Sequence, residues 1–369
     1  MKNKDLLAKL KKNSTIKDTA ILSDSKIYGK KDMIATMCPM INLALSARLD
    51  GGLTPGHTMI AGPSKHFKSM FALMMAGAYL DKYEDAILLF YDSEFGTPEE
   101  YFKIFNIDTS RVIHTPITDI EMLRTDMANQ LHTLERGDKV VIVIDSIGNL
   151  ASGKEVADAL SGSDKADMTR AKVMKSLFRI VTPHLTIKDI PLITVNHSYK
   201  TMEMFSKDVV AGGTGAYYSA DNVWIIGRRQ NKNKASDKEI AGWDFVIVVD
   251  KSRYVREKAK IPITVTFERG INKYSGLFDL GLEMGVVQKA EKRINKQDAF
   301  EFIDSDGVVI SEPMNMIEAR ESDVWEKLLA DKNFKSLVEE MYSIGSKEQI
   351  LFLDEDVDLS NEVIENEDI

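Results

Sequence analysis

Thr58-Met-Ile-Ala-Gly-Pro-Ser-Lys-His-Phe-Lys-Ser69, followed by Met70-Phe-Ala-Leu-Met-Met75, is an apolar run, a small loop and then an apolar helical pattern. A strand, a turn and a helix in that order form the context of a phosphate-binding loop. Backbone N–H groups of the loop and of the helix N-terminus converge on an anion, and a lysine adds a point charge. The spacing of Gly62, Lys68 and Ser69 matches G-x-x-x-x-G-K-[ST]. The cradle would then comprise Gly62, Pro63, Ser64, Lys65, His66, Phe67, Lys68, Ser69 and Met70, with the Ser69 hydroxyl available to Mg²⁺. One position departs from the pattern. Phe67 stands where glycine is expected, and left-handed backbone angles are costly for a side chain of that size. By itself the stretch could be a strand–turn–helix with an accidental Lys-Ser.

Two further strand patterns argue otherwise. Lys139-Val-Val-Ile-Val-Ile-Asp145-Ser146 is a continuous β-branched run, as in a strand buried on both faces of a parallel sheet. It ends in an acid at the carboxyl edge, where open α/β sheets bind ligands. Asp145 would join Ser69 in holding Mg²⁺. Ala86-Ile-Leu-Leu-Phe-Tyr91 leads into Asp92-Ser93-Glu94, which places Glu94 to orient or deprotonate a water beside a γ-phosphate. Strands ending in Lys-Ser, Asp-Ser-Glu and Asp-Ser together describe an ATPase site of the α/β class, with ATP and Mg²⁺ as cofactors.

The chain has 369 residues, 44% of them hydrophobic, enough for one large domain with smaller appendages. Its single cysteine, Cys38, excludes an internal disulfide and fits a reducing compartment. The six histidines lack metal-ligand spacing, and neither a membrane span nor a signal-peptide core is visible, so a soluble cytoplasmic protein is expected. Net charge is −9, but residues 353–369 hold eight carboxylates and no Lys or Arg, leaving the other 352 residues near −1. Such a block reads as a disordered solubility tail or as a tethered polyanion competing with nucleic acid. At the other end, Asp5 to Lys12 reads as a short amphipathic helix with Leu6, Leu7 and Leu10 on one face. Too short to be helical alone, it needs a docking surface on its own domain or on a neighbouring subunit.

Two stretches make poor structural elements: residues 152–166, small and polar, and residues 198–212, which mix Lys200 and Lys207 with Tyr199, Met202, Met204 and Phe205. Loops of that length in a compact domain are usually functional or disordered.

Gly51 to Gly56, Gly62 to Ser69, Tyr91 to Gly96, Val143 to Ser146, Val195-Asn-His197, Gly212 to Gly215 and Lys251-Ser-Arg253 resemble the RecA-type recombinases in order and spacing. The Pro-Ser-Lys-x-Phe-Lys-Ser loop looks like the branch found in T-even-like bacteriophages. The resemblance covers about residues 33–285. It implies a RecA-like P-loop ATPase core with a mostly parallel central sheet flanked by helices (33–285), preceded by an N-terminal helix and polymerisation arm (1–32). A small C-terminal subdomain with its own core (286–352) and the acidic tail (353–369) would follow.

The roles that the resemblance carries over are these. Glu94 would be the base, Lys68 the phosphate-binding cation, His197 the γ-phosphate sensor, and Tyr101 the aromatic stacked on adenine. Lys251 and Arg253 would reach the nucleotide of a neighbouring subunit. The two loops would bind DNA, with Tyr199, Lys200, Met202, Phe205 and Lys207 in the second and Arg170, Lys172 and Arg179 on the helix after the first. Of the cations on that helix, which also carries Lys175, at most two are expected to face DNA. Tyr217-Tyr218 departs from the family, whose bacterial members have a lysine there. The implied activity is DNA-dependent ATP hydrolysis coupled to pairing and strand exchange by helical filaments. Implied partners are single-stranded DNA, double-stranded DNA, further copies of the chain, a single-stranded-DNA-binding protein and a recombination mediator. A ring helicase of the same fold is the nearest rival, although only about thirty residues precede the core; a nucleotide-binding regulator is the next.

Overall fold

The computed structural model describes residues 2–16, 18–27, 29, 31–162, 169–200, 208–231 and 240–345. Met202, Phe205, Lys207 and the acidic segment 353–369 lie outside the described residues. In chain order the first half contains α1 (Lys2–Asn13), α2 (Pro39–Ser46), β1 (Gly56–Ala61), α3 (Lys68–Lys82), β2 (Ile87–Asp92), α4 (Glu99–Ile104), β3 (Val112–Pro116), α5 (Ile120–Thr133), β4 (Val140–Asp145), α6 (Gly153–Ser161), α7 (Thr169–Lys188) and β5 (Pro191–Asn196). The second half adds β6 (Ser198–Lys200), β7 (Asp208–Val210), α8 (Thr214–Ser219), β8 (Asn222–Asn231), β9 (Gly242–Lys251), β10 (Lys260–Thr266), β11 (Gly270–Ile271) and α9 (Leu277–Met284). Beyond these come β12 (Val287–Lys289), β13 (Phe300–Phe302), α10 (Met316–Glu321), α11 (Val324–Ala330) and α12 (Lys332–Tyr342).

Nine strands form one sheet in the order β11-β10-β9-β8-β1-β5-β4-β2-β3. From β8 to β3 all neighbours are parallel, whereas β8 to β11 pair antiparallel. The three central strands β1, β5 and β4 are buried along their whole length. That is the environment their unbroken apolar runs require. Alternation along β4 divides the core into two layers: Val141 and Val143 pack with α2 and α3, while Ile142 and Ile144 pack with α5 and α7. Since the central strands are parallel, their carboxyl ends share one edge, and the loops after β1, β2, β4 and β5 meet there.

Three sequence expectations change in detail. Residues 152–166 were expected to lack regular structure, yet Gly153–Ser161 is a helix. Ser152 and Glu155 form a reciprocal capping box that starts it, and Gly162 in the left-handed conformation ends it. The Ser-x-x-Glu signal was present in the sequence. The stretch from Asp323 to Tyr342, whose pattern reads as helical with Val324, Trp325, Leu328 and Leu329 on an apolar face, is broken in two at Asp331, whose carboxylate caps α12 through Asn333 N. The buried residues beyond 286 do not form a separate core. Phe302, Trp325, Leu328, Phe334 and Val338 belong to the same apolar cluster as Phe71 and Phe245, and Gly281 leaves room for the Trp325 ring. At the N-terminus, α1 forms as expected, with Leu6, Leu7 and Leu10 exposed at 54%, 47% and 60%. No helix among the described residues is long and apolar enough to cross a membrane.

Candidate nucleotide and DNA sites

The loop after β1 takes the conformation that its sequence makes costly. Phe67 caps α3 with φ 61° and Lys65 also has φ 61°. Each left-handed residue costs on the order of 1 to 2 kcal/mol. At Phe67 the cost is offset by packing, since its ring centre lies 5.5 Å from those of both Phe71 and Phe245. Aromatic contacts of this kind contribute about 0.5 to 1.5 kcal/mol each. Phe67 thus does by ring packing what glycine does by lacking a side chain.

Lys68 opens α3, is buried, and donates to Pro63 O at 2.9 Å. Burial pulls its pKa below the usual lysine value, and the nearby Glu94 and Asp145 carboxylates work the other way. The first N–H groups of α3 have no partner within the helix and face the loop mouth. Pro63 contributes only a carbonyl. Ser64 and Lys65 are exposed, His66 and Ser69 are half-buried, and the Met70 side chain is buried in the core. Gly62 stays a glycine for a local reason, because a Cβ would stand 3.1 Å from Ile226 O.

Glu94 is aimed by its own turn. The Asp92 carboxylate accepts from Glu94 N at 3.1 Å and from Phe95 N at 2.7 Å, and Asp145 O accepts from Ser93 N at 2.8 Å. The Glu94 Oε1 atom then accepts from Ser146 Oγ at 2.6 Å and Asn149 Nδ2 at 3.1 Å, and lies 3.1 Å from His197 Nε2. The His197 hydrogen bond leads in holding the Glu94 pKa below the usual carboxylate value, against the opposing effect of burial. The sensor candidate and the candidate base are therefore in direct contact. Gly148 makes that approach possible: a Cβ there would lie 2.6 Å from His197 Cδ2. Ser93, Ser146, Gly148 and Asn149 were missed as site residues. A Gly or Asn in a loop carries no signal of the strand it will face.

Asp145 ends β4 with its side chain 2% exposed as a residue. Burial raises its pKa to about 6, with the Ser69 hydroxyl opposing that shift. Its Oδ2 accepts from Thr97 Oγ1 at 3.3 Å, a contact not foreseen, and its buried Oδ1 has no hydrogen-bond partner. An unpartnered carboxylate oxygen beside a serine hydroxyl fits a hard cation such as Mg²⁺. Among the described residues no three His, Cys, Asp or Glu side chains are grouped for a metal, so such an ion would rely on phosphate and water for its other positions. Tyr101 lies on α4 with its side chain 37% exposed, whereas Phe102 is the residue of that helix buried in the core.

The DNA candidates divide. Lys172, Lys175 and Arg179 are all exposed. At spacings of three and four they share one stripe of α7, so three cations face outward together. Arg170, on the opposite side, differs from its expected role. It donates to the carbonyls of Leu150 at 2.6 Å, Gly148 at 2.6 Å and Ile147 at 3.3 Å, so its guanidinium is spent clamping the segment that carries Asn149. Tyr199 and Lys200 are exposed on the small β6–β7 ribbon.

Lys251 and Arg253 stand away from the phosphate loop of their own chain. Phe245 touches Phe67, and Lys251 lies six residues further along β9, about 20 Å by strand rise. Lys251 Nζ donates to Tyr217 O at 3.2 Å and Tyr218 O at 2.9 Å, and Arg253 is paired with Asp221. Tyr217, in the position that departs from the family, donates to Asp250 at 2.9 Å, and Tyr218 is exposed.

No family model matches the chain. It is 47% identical to the recombination and repair protein of Enterobacteria phage T4 over 367 residues, covering 98% of this chain and 89% of that one. It is 26% identical to the RecA protein of Acidothermus cellulolyticus over 264 residues, 70% of this chain and 72% of the other. The crystal structure of the RadB recombinase aligns at 19% identity with a TM-score of 0.44, covering 61% of this chain and 94% of that one. With an identity of 47% sustained along almost its whole length, this chain belongs to the RecA-type recombinase family, in the branch of the phage T4 protein.

Proposed function

We propose that the chain is a DNA-dependent ATPase that forms helical filaments on single-stranded DNA and exchanges strands with a homologous duplex, in recombination, repair and recombination-dependent replication. The observation that carries this reading is the gathering of Lys68, Glu94, Asp145 and His197 at one sheet edge, with Lys251 about 20 Å away at the end of β9 and Arg253 just beyond it. Glu94, oriented by Ser146 and Asn149, positions and deprotonates the attacking water. Lys68 and the α3 N-terminus hold the phosphates. Ser69 and Asp145 would hold Mg²⁺, which would supply charge neutralisation for the phosphates. Lys251 and Arg253 stabilise the γ-phosphate of the neighbouring subunit, so hydrolysis follows assembly. The exposed leucines of α1 are suited to packing on a second copy. Lys172, Arg179, Tyr199 and Lys200 are suited to single-stranded DNA, with cations for phosphates and an aromatic for bases. A single-stranded-DNA-binding protein and a recombination mediator are the proposed loading partners.

Electron micrographs of the protein with single-stranded DNA and a non-hydrolysable ATP analogue test this. Helical filaments are expected. Closed rings would favour a helicase of the same fold, and absence of any DNA-bound assembly would favour a nucleotide-binding regulator.

A further inference from the structure

The outer half of the phosphate loop is tied, residue by residue, to the antiparallel pair β8–β9. Arg228 Nη1 donates to Lys65 O at 2.6 Å. The same guanidinium lies 4.0 Å from the centre of the Trp243 ring, within the range of a cation–π contact. Two residues further along β9, the Phe245 ring meets Phe67 at 5.5 Å. Register explains the grouping: Arg228 pairs with Phe245, and Trp243 is the next residue on that face of the ladder. The residues these contacts hold are the two whose backbones are left-handed, Lys65 and Phe67. Neither is glycine, so neither rests in that conformation by intrinsic preference.

We propose that Arg228 is a positioning residue for the phosphate loop: the β8–β9 ladder, through Arg228, Trp243 and Phe245, supplies the hold on residues 65 to 67 that glycine would make unnecessary. The role demands arginine. Only a planar guanidinium can stack on an indole and donate in its own plane to a carbonyl; an ammonium offers a point charge without the stacking face. The loop's geometry is thereby coupled to the ladder, and a displacement of β9 changes the cradle directly. This inference rests on the reading of residues 62–69 as a nucleoside-triphosphate site.

The test measures affinity for a fluorescent ATP analogue with Mg²⁺, and kcat and KM for ATP with single-stranded DNA, on the full chain. Arg228→Ala and Arg228→Lys should each weaken nucleotide binding about 3- to 10-fold, the loss of one charge-assisted contact, and should raise KM while kcat stays within about twofold. Trp243→Leu, which keeps the hydrogen-bonding partner and removes the stacking face, should give a smaller loss in the same direction. It also serves if Arg228→Ala does not fold. The decisive comparison is the Lys65→Gly background. Glycine adopts the left-handed backbone unaided, so Arg228→Ala should there cost less than about twofold. An arginine that merely stabilised the fold would cost as much in either background and would leave KM unchanged. Equal affinity of wild type and Arg228→Ala, or an undiminished loss in the Lys65→Gly background, overturns the proposal. Failure of the wild type itself to bind the analogue overturns instead the reading of the loop as a nucleotide site, and this inference with it.

Discussion

Glu94 accepts from Ser146 and Asn149 and contacts His197 through one carboxylate oxygen, so its orientation is fixed before any substrate arrives. Glu94→Gln preserves the shape and removes the base. It should retain nucleotide affinity and lose DNA-stimulated turnover by about 10²- to 10⁴-fold. Lys68→Ala, by contrast, should weaken binding as well as turnover, because it removes the cation from the cradle. Single-turnover hydrolysis beside nucleotide titration separates the two; near-normal turnover in Glu94→Gln would remove Glu94 from the base role. Asp145 gives a prediction in pH. Its folded pKa of about 6 lies above the ordinary value of 3.8, so between these the native state holds a proton that the unfolded chain has released. Its contribution to the stability of the ligand-free protein is full below pH 3.8 and declines as pH rises to about 6. Melting temperatures of wild type and Asp145→Asn from pH 4 to 7 should show the wild type losing ground over that interval and the difference levelling above it. Parallel curves would mean that the carboxyl is not shifted.

Helix α7 shows how one element divides its charges. Three of its cations face outward, whereas Arg170 turns inward to the carbonyls of residues 147, 148 and 150. Removing the guanidinium leaves three partly buried acceptors unpaired, so Arg170→Ala should lower stability by about 1 to 3 kcal/mol. Lys172→Ala and Arg179→Ala should leave stability within about 0.5 kcal/mol. Each should instead weaken single-stranded DNA binding and reduce the salt slope by about one. Denaturant melts and DNA titrations across a salt series read both effects. The assignment of Arg170 as a clamp fails if its alanine variant melts like wild type and loses only DNA affinity.

At the scale of the whole molecule, Lys251 and Arg253 are the residues proposed to act on the nucleotide of a neighbouring protomer. Lys251 ends β9 and Arg253 lies just beyond it, about 20 Å of strand from the loop they would serve, so a single protomer does not bring them to its own phosphate loop. Replacing both with alanine should leave the monomer folded, because Arg253 is 71% exposed at its side chain and the buried Asp221 carboxylate keeps its hydrogen bond from His57 N. DNA-stimulated hydrolysis should collapse. Mixing this variant with Lys68→Ala protein should recover part of the activity, since one protomer then carries an intact phosphate loop and its neighbour intact cations. Absence of recovery in well-mixed filaments would place both defects in one protomer's site.

The sequence by itself determined the strands and the ends that matter. The β-branched run before Asp145 fits a strand buried on both faces of a parallel sheet, and Lys68, Glu94 and Asp145 follow the ends of such apolar runs, so the sheet edge was legible from local pattern. The start of α6 was legible too, in Ser152 and Glu155, although the polar composition around them suggested a loop. Tertiary structure alone decided the rest. Phe67 can be left-handed because Phe71 and Phe245 surround its ring, and Arg170 turns from DNA to carbonyls because the loop after β4 passes beneath it. The C-terminal elements share the main core because Trp325 finds space over Gly281. The physical reason is range. Propensity and periodicity act over a few neighbouring residues, whereas the contact from Arg228 to Lys65 spans 163 positions and exists only after the sheet has formed.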